Sequence, residues 1–343
     1  MSDDPHAPTA AGRITHPDEM GGEQFRWGLN SAATEVDVVM PAFNAGAFVG
    51  EAIGSVLRQS FAAWELWLLD DGSTDGTRAV ANEYASRDPR IHVLSHATNA
   101  GIPASLNDAI SAGCAPFVTF LGADDRWTAA FLSSQFRALK RDPGAVAVAA
   151  DAWIIDASGQ RSGKLWSALQ PPPPGPSYGT TFEVLRENHV CSVAVVWSRA
   201  RAAGLTFNRA IPCMNDWLFW LELSRRGRIL YNPEPLAEYR LHGSNMNVGF
   251  RRRDDELVDF VAEFRKVFGS VPRAVEHRLQ YYLVRGHERR GEQVEAVRAL
   301  ARMFALDPAC PKNVSALTHF LPLEERMPRI PHLLGGRFVH TMR

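Results

Sequence analysis

The sequence predicts an α/β protein: a doubly wound, mostly parallel sheet followed by a C-terminal helical appendage. Three observations carry this. Short apolar runs alternate four times with stretches of helical apolar period between residues 36 and 140, the pattern of β-α units whose strands pair in parallel. From Arg252 onward the pattern is helical. The 343 residues, 45% hydrophobic and 22% charged, are enough for one large or two modest domains, and this composition excludes disordered, collagenous and simple coiled-coil classes.

In chain order, residues 1–34 hold Asp3, Asp4, Pro5, Pro8, Gly21 and Gly22 without an apolar period and are expected to form a flexible lead-in. Val36 to Met40 is a β-branched run, and Phe48 to Leu57 repeats apolar residues at helical spacing. The same strand-then-helix unit returns as Trp64 to Leu69 with Thr77 to Ser86, as Ile91 to Leu94 with Ile102 to Ala112, and as Phe117 to Leu121 with Thr128 to Lys140. The run from Gln170 to Pro176 holds five prolines and reads as an extended connector. Val190 to Trp197 is expected as a buried strand, Trp217 to Ser224 as a helix and Leu236 to Leu241 as a further strand. Arg273 to Arg289 and Glu292 to Phe304, separated by Gly291, predict a helical hairpin whose second helix gathers Val294, Val297, Ala301 and Phe304 on one face.

Charge and cysteine usage narrow the class of function. A net charge of −1 gives no global attraction to nucleic acid, so no nucleic-acid partner is expected. Residues 251–343 carry 17 Lys and Arg against 12 Asp and Glu, so this region is a separate, basic object. Cys114, Cys191, Cys213 and Cys310 are far apart, which fits a reducing cytosol better than a disulfide framework. No run reaches the roughly 18 apolar residues of a membrane span, and the N-terminus lacks the basic and apolar regions of a signal peptide. The expected location is cytoplasmic.

In doubly wound sheets ligands sit at the carboxyl ends of the strands, which directs attention to the loops after Met40, Leu69, Leu94 and Leu121. Asp70-Asp71-Gly72-Ser73-Thr74-Asp75-Gly76 follows the second strand. A calcium loop fails here because its twelfth position is Asn82 rather than Glu, and a helix cap at Thr74 or Asp75 leaves Asp70 and Asp71 unexplained. Carboxylates at a strand end can accept N–H and ribose hydroxyl groups, as a nucleotide offers. Asp124-Asp125 follows the strand FVTFL and Gly122-Ala123. Adjacent carboxylates repel, so a cation relieves them, and Mg²⁺ or Mn²⁺, which prefer oxygen and bind substrate phosphates, are the natural candidates.

The ordered segments VDVVMPAFNAG, LLDDGSTDGT, NAGIPASLNDAISAG and FVTFLGADD resemble the nucleotide-sugar half of family-2 inverting glycosyltransferases of GT-A fold. The likeness covers about 35–245 and is most specific over 36–127. It implies a lead-in over 1–34, a GT-A domain over 35–250 (nucleotide-sugar half 35–127, acceptor half 128–250) and a helical region over 251–343. Within the first half it implies nucleotide-sugar contacts from Pro41, Phe43, Asn44, Asp70, Asp71, Asn99, Gly101, Asn107 and Asp124. Phe43 would stack near the base, Asp71 would accept the uracil N–H, Asp124 would hold ribose and Asp125 would bind the metal. The family's metal motif is often D-x-D; here the first position is Ala123.

CMNDWLFWLEL resembles the family's catalytic-base segment and assigns that role to Asp216, although Asn215 stands where Glu is more frequent and a plain helix cap is the alternative. Tyr239-Arg240-Leu241-His242 resembles the family's Y-R-x-H segment, in which His242 approaches the metal or diphosphate; a structural His is the alternative. Asn188 to Ser192 sits where the family shapes its acceptor site. The absence of a Q-x-x-R-W motif implies a non-processive enzyme.

The expected function is therefore metal-dependent, inverting transfer from a UDP-sugar to a saccharide or lipid-linked acceptor, in surface polysaccharide or glycolipid synthesis. Two alternatives stay open: a sugar-1-phosphate nucleotidyltransferase, which lacks its G-x-G-T-R segment between Met40 and Gly50, and a catalytically silent nucleotide-sugar-binding scaffold. The basic C-terminal region, ending in Arg329, Ile330, Leu333, Leu334, Arg337, Phe338 and Arg343, is expected to pack on the domain or a second copy, or to touch the inner face of a membrane.

Overall fold

The computed structural model describes residues 34–179, 181–186, 188–243 and 254–317. The lead-in through residue 33 and the basic end 329–343 lie outside the described residues.

The first half is built as the alternation predicts: β1 Val36–Ala42, α1 Val49–Leu57, β2 Trp64–Asp70, α2 Thr77–Ala85, β3 Ile91–Ser95, α3 Ile102–Ala112 and β4 Phe117–Phe120. β1 pairs in parallel with β2 on one side and β4 on the other, and β2 with β3, giving the order β3-β2-β1-β4. The chain reverses its direction of growth about β1, so the loops after β1, β2 and β4 open onto one crevice. Successive β1 side chains point to opposite faces: Val38 and Met40 join Ile53, Val56 and Phe131, while Val39 joins Leu106, Trp197 and Trp220.

The second half comprises β5 Arg126–Trp127, α4 Phe131–Arg141, β6 Ala145–Ile155, β7 Arg161–Leu165, α5 Trp166–Leu169, α6 Thr181–Arg186, β8 Val195–Ser198, α7 Asn215–Ser224 and β9 Arg228–Arg240. The sheet continues β4-β8-β6-β9-β5: β8 is antiparallel to β4 and β6, β9 is parallel to β6, and β7 folds back on β6. Among the described residues no helix is long and apolar enough to cross a membrane.

Three expectations change. The strand expected over Val190 to Trp197 begins only at Val195, because Ser192–Ala194 form a 3₁₀ turn whose Ala194 N–H returns to the Cys191 carbonyl. The strand expected over Leu236 to Leu241 begins at Arg228, and its Pro233 and Pro235 are absorbed by a register shift between Ala150 and Asp151 of β6. Of the apolar face expected on the hairpin's second helix, Val294, Val297 and Ala301 are exposed, and Phe304 alone of the four packs against the core.

That hairpin belongs to α8 Leu257–Phe268, α9 Arg273–Arg289, α10 Gln293–Leu306 and α11 Pro311–Leu317. On α10 the buried residues are Ala296, Ala299, Leu300 and Met303, whereas Val294 is 64% and Val297 53% exposed. Small Ala296 and Ala299 let α10 approach α9 closely, and that contact outweighs the larger valines on the other side. α9 also rests on α8, where a Cβ at Gly286 would stand 2.8 Å from a Val258 methyl.

Candidate active site

The β1 and β2 loops are stitched together by short polar side chains. The Asn44 N–H donates to Ser73 Oγ (2.9 Å), and Asn44 Oδ1 accepts the Thr74 N–H (2.9 Å), with Asn44 itself at φ 49°. The Ala45 N–H donates to Thr77 Oγ1 (2.8 Å) and the Gly46 N–H to Asp75 Oδ2 (2.9 Å). Hydrogen bonds to Thr77 and Gly46 hold the Asp75 carboxyl below its ordinary range against a burial effect that pushes it up. Pro41 is buried within β1 opposite Leu69, while Phe43 stands 48% exposed at the rim, where a base can stack.

Asp70 and Asp71 are both buried at the end of β2. The Ser73 N–H reaches Asp70 Oδ1 at 3.3 Å. Asp71 accepts the N–H groups of Ala100 and Gly101, both at 2.8 Å, and meets His96 Nδ1 at 2.6 Å. Gly72 makes this approach possible: at φ 73° it carries no Cβ, and a Cβ would fall 2.9 Å from the Thr98 and Asn99 backbone. The exposed Asn99 accepts the Gly101 N–H on Oδ1 at 3.1 Å. Asn107 lies on α3. Its amide accepts the Phe207 N–H (2.8 Å) and donates to the Phe207 carbonyl (2.9 Å), pinning the segment before α7 to α3.

After β4, the bare face of Gly122 brings the acidic pair together. A Cβ there would lie 2.5 Å from Asp125 Oδ2 and 2.8 Å from Asp124 Oδ1. Asp125 is fully enclosed, and burial first, then the neighbouring Asp124 charge, push its carboxyl well above the ordinary range. Asp125 Oδ1 accepts the Arg240 N–H at 2.7 Å, and Asp124 Oδ2 meets His242 Nε2 at 3.0 Å. His242 leans on the Phe48 ring, centroids 4.8 Å apart. The buried Arg240 side chain donates to the Asp124 carbonyl (2.6 Å) and to Glu51 Oε2 (2.8 Å), and lies over Phe48.

Among the described residues no group of three or more His, Cys, Asp or Glu could by itself hold a metal ion. The donor set fits an ion that is shared with its substrate. Two carboxylates converge over a glycine, one of them paying a desolvation cost that a divalent cation would offset, and Mg²⁺ or Mn²⁺ complete their shells with phosphate oxygens and water.

Asp216 lies inside the first turn of α7 rather than at its cap, which is Met214. Its Oδ2 accepts the Ser192 hydroxyl at 2.6 Å, its Oδ1 the Trp217 N–H at 2.6 Å, and Asn188 Nδ2 stands 3.3 Å from both oxygens. The Trp220 indole N–H donates to Ser192 Oγ at 3.1 Å, so that hydroxyl is left to point its own hydrogen at Asp216. Between this carboxylate and the acidic pair lies the buried Cys191 thiol, pushed well up by burial and then by the charges of Asp125, Asp151 and, more weakly, Asp216. The adjoining residues tie the two ends of the site together: Ser192 bonds Asp216, and the Val193 carbonyl accepts the indole N–H of Trp127, two residues after Asp125, at 2.6 Å.

The structure therefore joins Asp124, Asp125, Arg240 and His242 in one hydrogen-bonded cluster, holds Asp71 at the ends of β2 and β3, and anchors Asp216 on Ser192. Arg240 and His96 were not legible as site residues, because their partners lie 116 and 25 residues away in sequence.

The sequence profile of Glycosyl transferase family 2 matches residues 37–202. A teichuronic acid biosynthesis glycosyltransferase of Bacillus subtilis, TuaG, is 29% identical over 213 residues, 62% of this chain and 81% of that protein. An Escherichia coli enzyme, the UDP-Glc:alpha-D-GlcNAc-diphosphoundecaprenol beta-1,3-glucosyltransferase WfgD, is 37% identical over 100 residues, 29% of this chain and 39% of its own length. Among solved structures, S. aureus TarS 1-349 in complex with UDP-GlcNAc superposes with a TM-score of 0.60 at 17% identity, covering 82% of this chain and 83% of that one. The Pyrobaculum calidifontis mannosyltransferase PcManGT, in complex with GDP-Man and Mn²⁺, gives 0.57 at 17% identity over 86% of this chain and 82% of its own. With its strand-end carboxylates set on a GT-A type fold, the chain matches glycosyl transferase family 2 over residues 37–202.

Proposed function

We propose that this glycosyltransferase moves a sugar from a UDP-sugar to the hydroxyl of a saccharide or lipid-linked acceptor, non-processively and with inversion, in surface polysaccharide or glycolipid synthesis. The observation that carries the proposal is the short link from Ser192, which bonds the carboxylate of Asp216, to Val193, whose carbonyl holds Trp127 just after the Asp124–Asp125 pair. Phe43 stacks on the base, Asp71 accepts its imide N–H, and Asp124 takes the ribose hydroxyls. Asp216, held by Ser192 and Asn188, takes the proton of the acceptor hydroxyl. The acceptor oxygen forms its bond to the anomeric carbon as the bond from that carbon to the diphosphate oxygen breaks, and the electron pair leaves with UDP. Mn²⁺ or Mg²⁺, held by Asp125 with Asp124 and His242 beside it, would supply Lewis-acid stabilisation of the leaving diphosphate.

TuaG and WfgD, named for teichuronic acid biosynthesis and a diphosphoundecaprenol-linked acceptor, support a polysaccharide role and a lipid-linked acceptor. We place the reaction on the cytoplasmic side, at the inner membrane face when the acceptor is a lipid. Released UDP, measured over a panel of UDP-sugars with and without Mn²⁺, tests the activity, and proton NMR of the product tests the anomeric outcome. No UDP release with any donor, or a retained anomer, would overturn the corresponding part.

A further inference from the structure

Asp71 is locked from three sides. Oδ1 has two partners, His96 Nδ1 at 2.6 Å and the Ala100 N–H at 2.8 Å, whereas Oδ2 has one, the Gly101 N–H at 2.8 Å. His96 is itself 3% exposed, and its other ring nitrogen meets Asp108 Oδ2 of α3 at 3.1 Å. The ring thus bridges the two carboxyl groups, one nitrogen on each, and is held in a fixed plane between β3 and α3. A carboxylate oxygen offers about two acceptor positions. With Oδ1 filled twice and Oδ2 once, a single acceptor position is left on Asp71 for a ligand.

We propose that His96, braced by Asp108, is a positioning residue for nucleotide recognition: it fixes Asp71 so that one lone pair of Oδ2 meets the base, which suits the single imide N–H of uracil and not the paired N–H groups of guanine. This rests on the reading of Asp71 as the base-contacting residue. Without the His96 bond Oδ1 regains an acceptor position, so each oxygen offers one to a ligand, and discrimination between one donor and two is lost. Asp108 acts through the ring, because it keeps the imidazole plane aimed at Oδ1.

The test pairs a change in the protein with a change in the ligand. Calorimetry compares UDP, N3-methyl-UDP, whose base lacks the imide hydrogen, and GDP on the wild type, His96→Ala, His96→Asn and Asp108→Asn. The wild type is expected to prefer UDP over both analogues. His96→Ala is expected to weaken UDP by about tenfold, the usual worth of a hydrogen bond to a charged group, while N3-methyl-UDP binding stays within about twofold and the UDP-over-GDP preference narrows. His96→Asn, which keeps a donor near the Nδ1 position, should recover most of the preference. Asp108→Asn, which leaves His96 in place, should give an intermediate loss and decides the matter if His96→Ala does not fold. Equal weakening of UDP and N3-methyl-UDP would show a general structural role and overturn the proposal, as would unchanged UDP affinity. A wild type that binds UDP and N3-methyl-UDP alike would overturn the base-contacting role of Asp71 and the proposal with it.

Discussion

The Trp217 indole stacks on the Phe260 ring, with centroids 4.8 Å apart and planes 18° from parallel. Trp217 follows Asp216 in α7, and Phe260 belongs to α8. Tyr282 of α9 meets the same indole edge-on at 5.6 Å and donates its hydroxyl to the Leu185 carbonyl at 2.9 Å. The C-terminal helices are thus part of the foundation under the proposed base, not a separate attachment.

Phe260→Ala should therefore cost about 3–5 kcal/mol of stability, the usual loss for a fully buried aromatic, and should lower transfer at temperatures where the variant is still folded. Urea unfolding and initial rates read the two effects. Undiminished activity in a destabilised variant would show that α8 supports the fold without supporting Asp216.

Asp216→Asn should reduce the transfer rate by about 100-fold or more while donor affinity is kept, because the amide preserves shape but accepts no proton. Ser192→Ala should lower kcat by roughly tenfold with little change in donor Kd, since a hydroxyl bond to a charged group is lost from a residue that does not touch the donor. Ser192→Thr, which retains the hydroxyl, should restore most of the rate. A collapse of UDP affinity in either Asp216→Asn or Ser192→Ala would move Asp216 from the chemistry to the nucleotide site.

Asp125→Asn should separate stability from turnover. Burial disfavours the Asp125 charge, so the neutral isostere should raise Tm in EDTA by about 2 °C or more, the shift that ~1 kcal/mol gives a chain of this size, and abolish transfer. Adding Mn²⁺ with UDP should raise the wild-type Tm and leave the variant unmoved. Full activity of the wild type in EDTA would remove the metal from the reaction.

Asn107→Ala should lower stability by about 1–3 kcal/mol, because two backbone groups of Phe207 lose their partners, and leave UDP affinity within about twofold. A large loss of UDP affinity would instead show that Asn107 serves the nucleotide pocket.

Local periodicity reveals the first half well, since β1 to β4 and α1 to α3 each form from a contiguous run and pair with near neighbours. β6 is not visible in this way. AVAVAADAWII is buried at all but one position, so it shows no alternation, and its place depends on β8 and β9, far along the chain. The outer face of α10 misleads for a related reason: Val297 looks more core-like than Ala296, yet the fit between helices selects the smaller residue. Within the site, acidic pairs after apolar strands are legible because strand ends gather ligands. The group that aims Asp71 is less so, because His96 acquires its role only when the ends of β2 and β3 and the flank of α3 meet.

The contact between Asp125 and Arg240 spans 115 residues, and the Arg240 guanidinium secures the Asp124 carbonyl across 116. During synthesis, which proceeds from the N-terminus, the acidic loop emerges long before its clamp. The acidic loop stays without this clamp until residue 240 has left the ribosome. If the acidic pair holds the donor as proposed, capture is in this sense timed: a product ending before β9 would carry the acidic loop without the residue that clamps it.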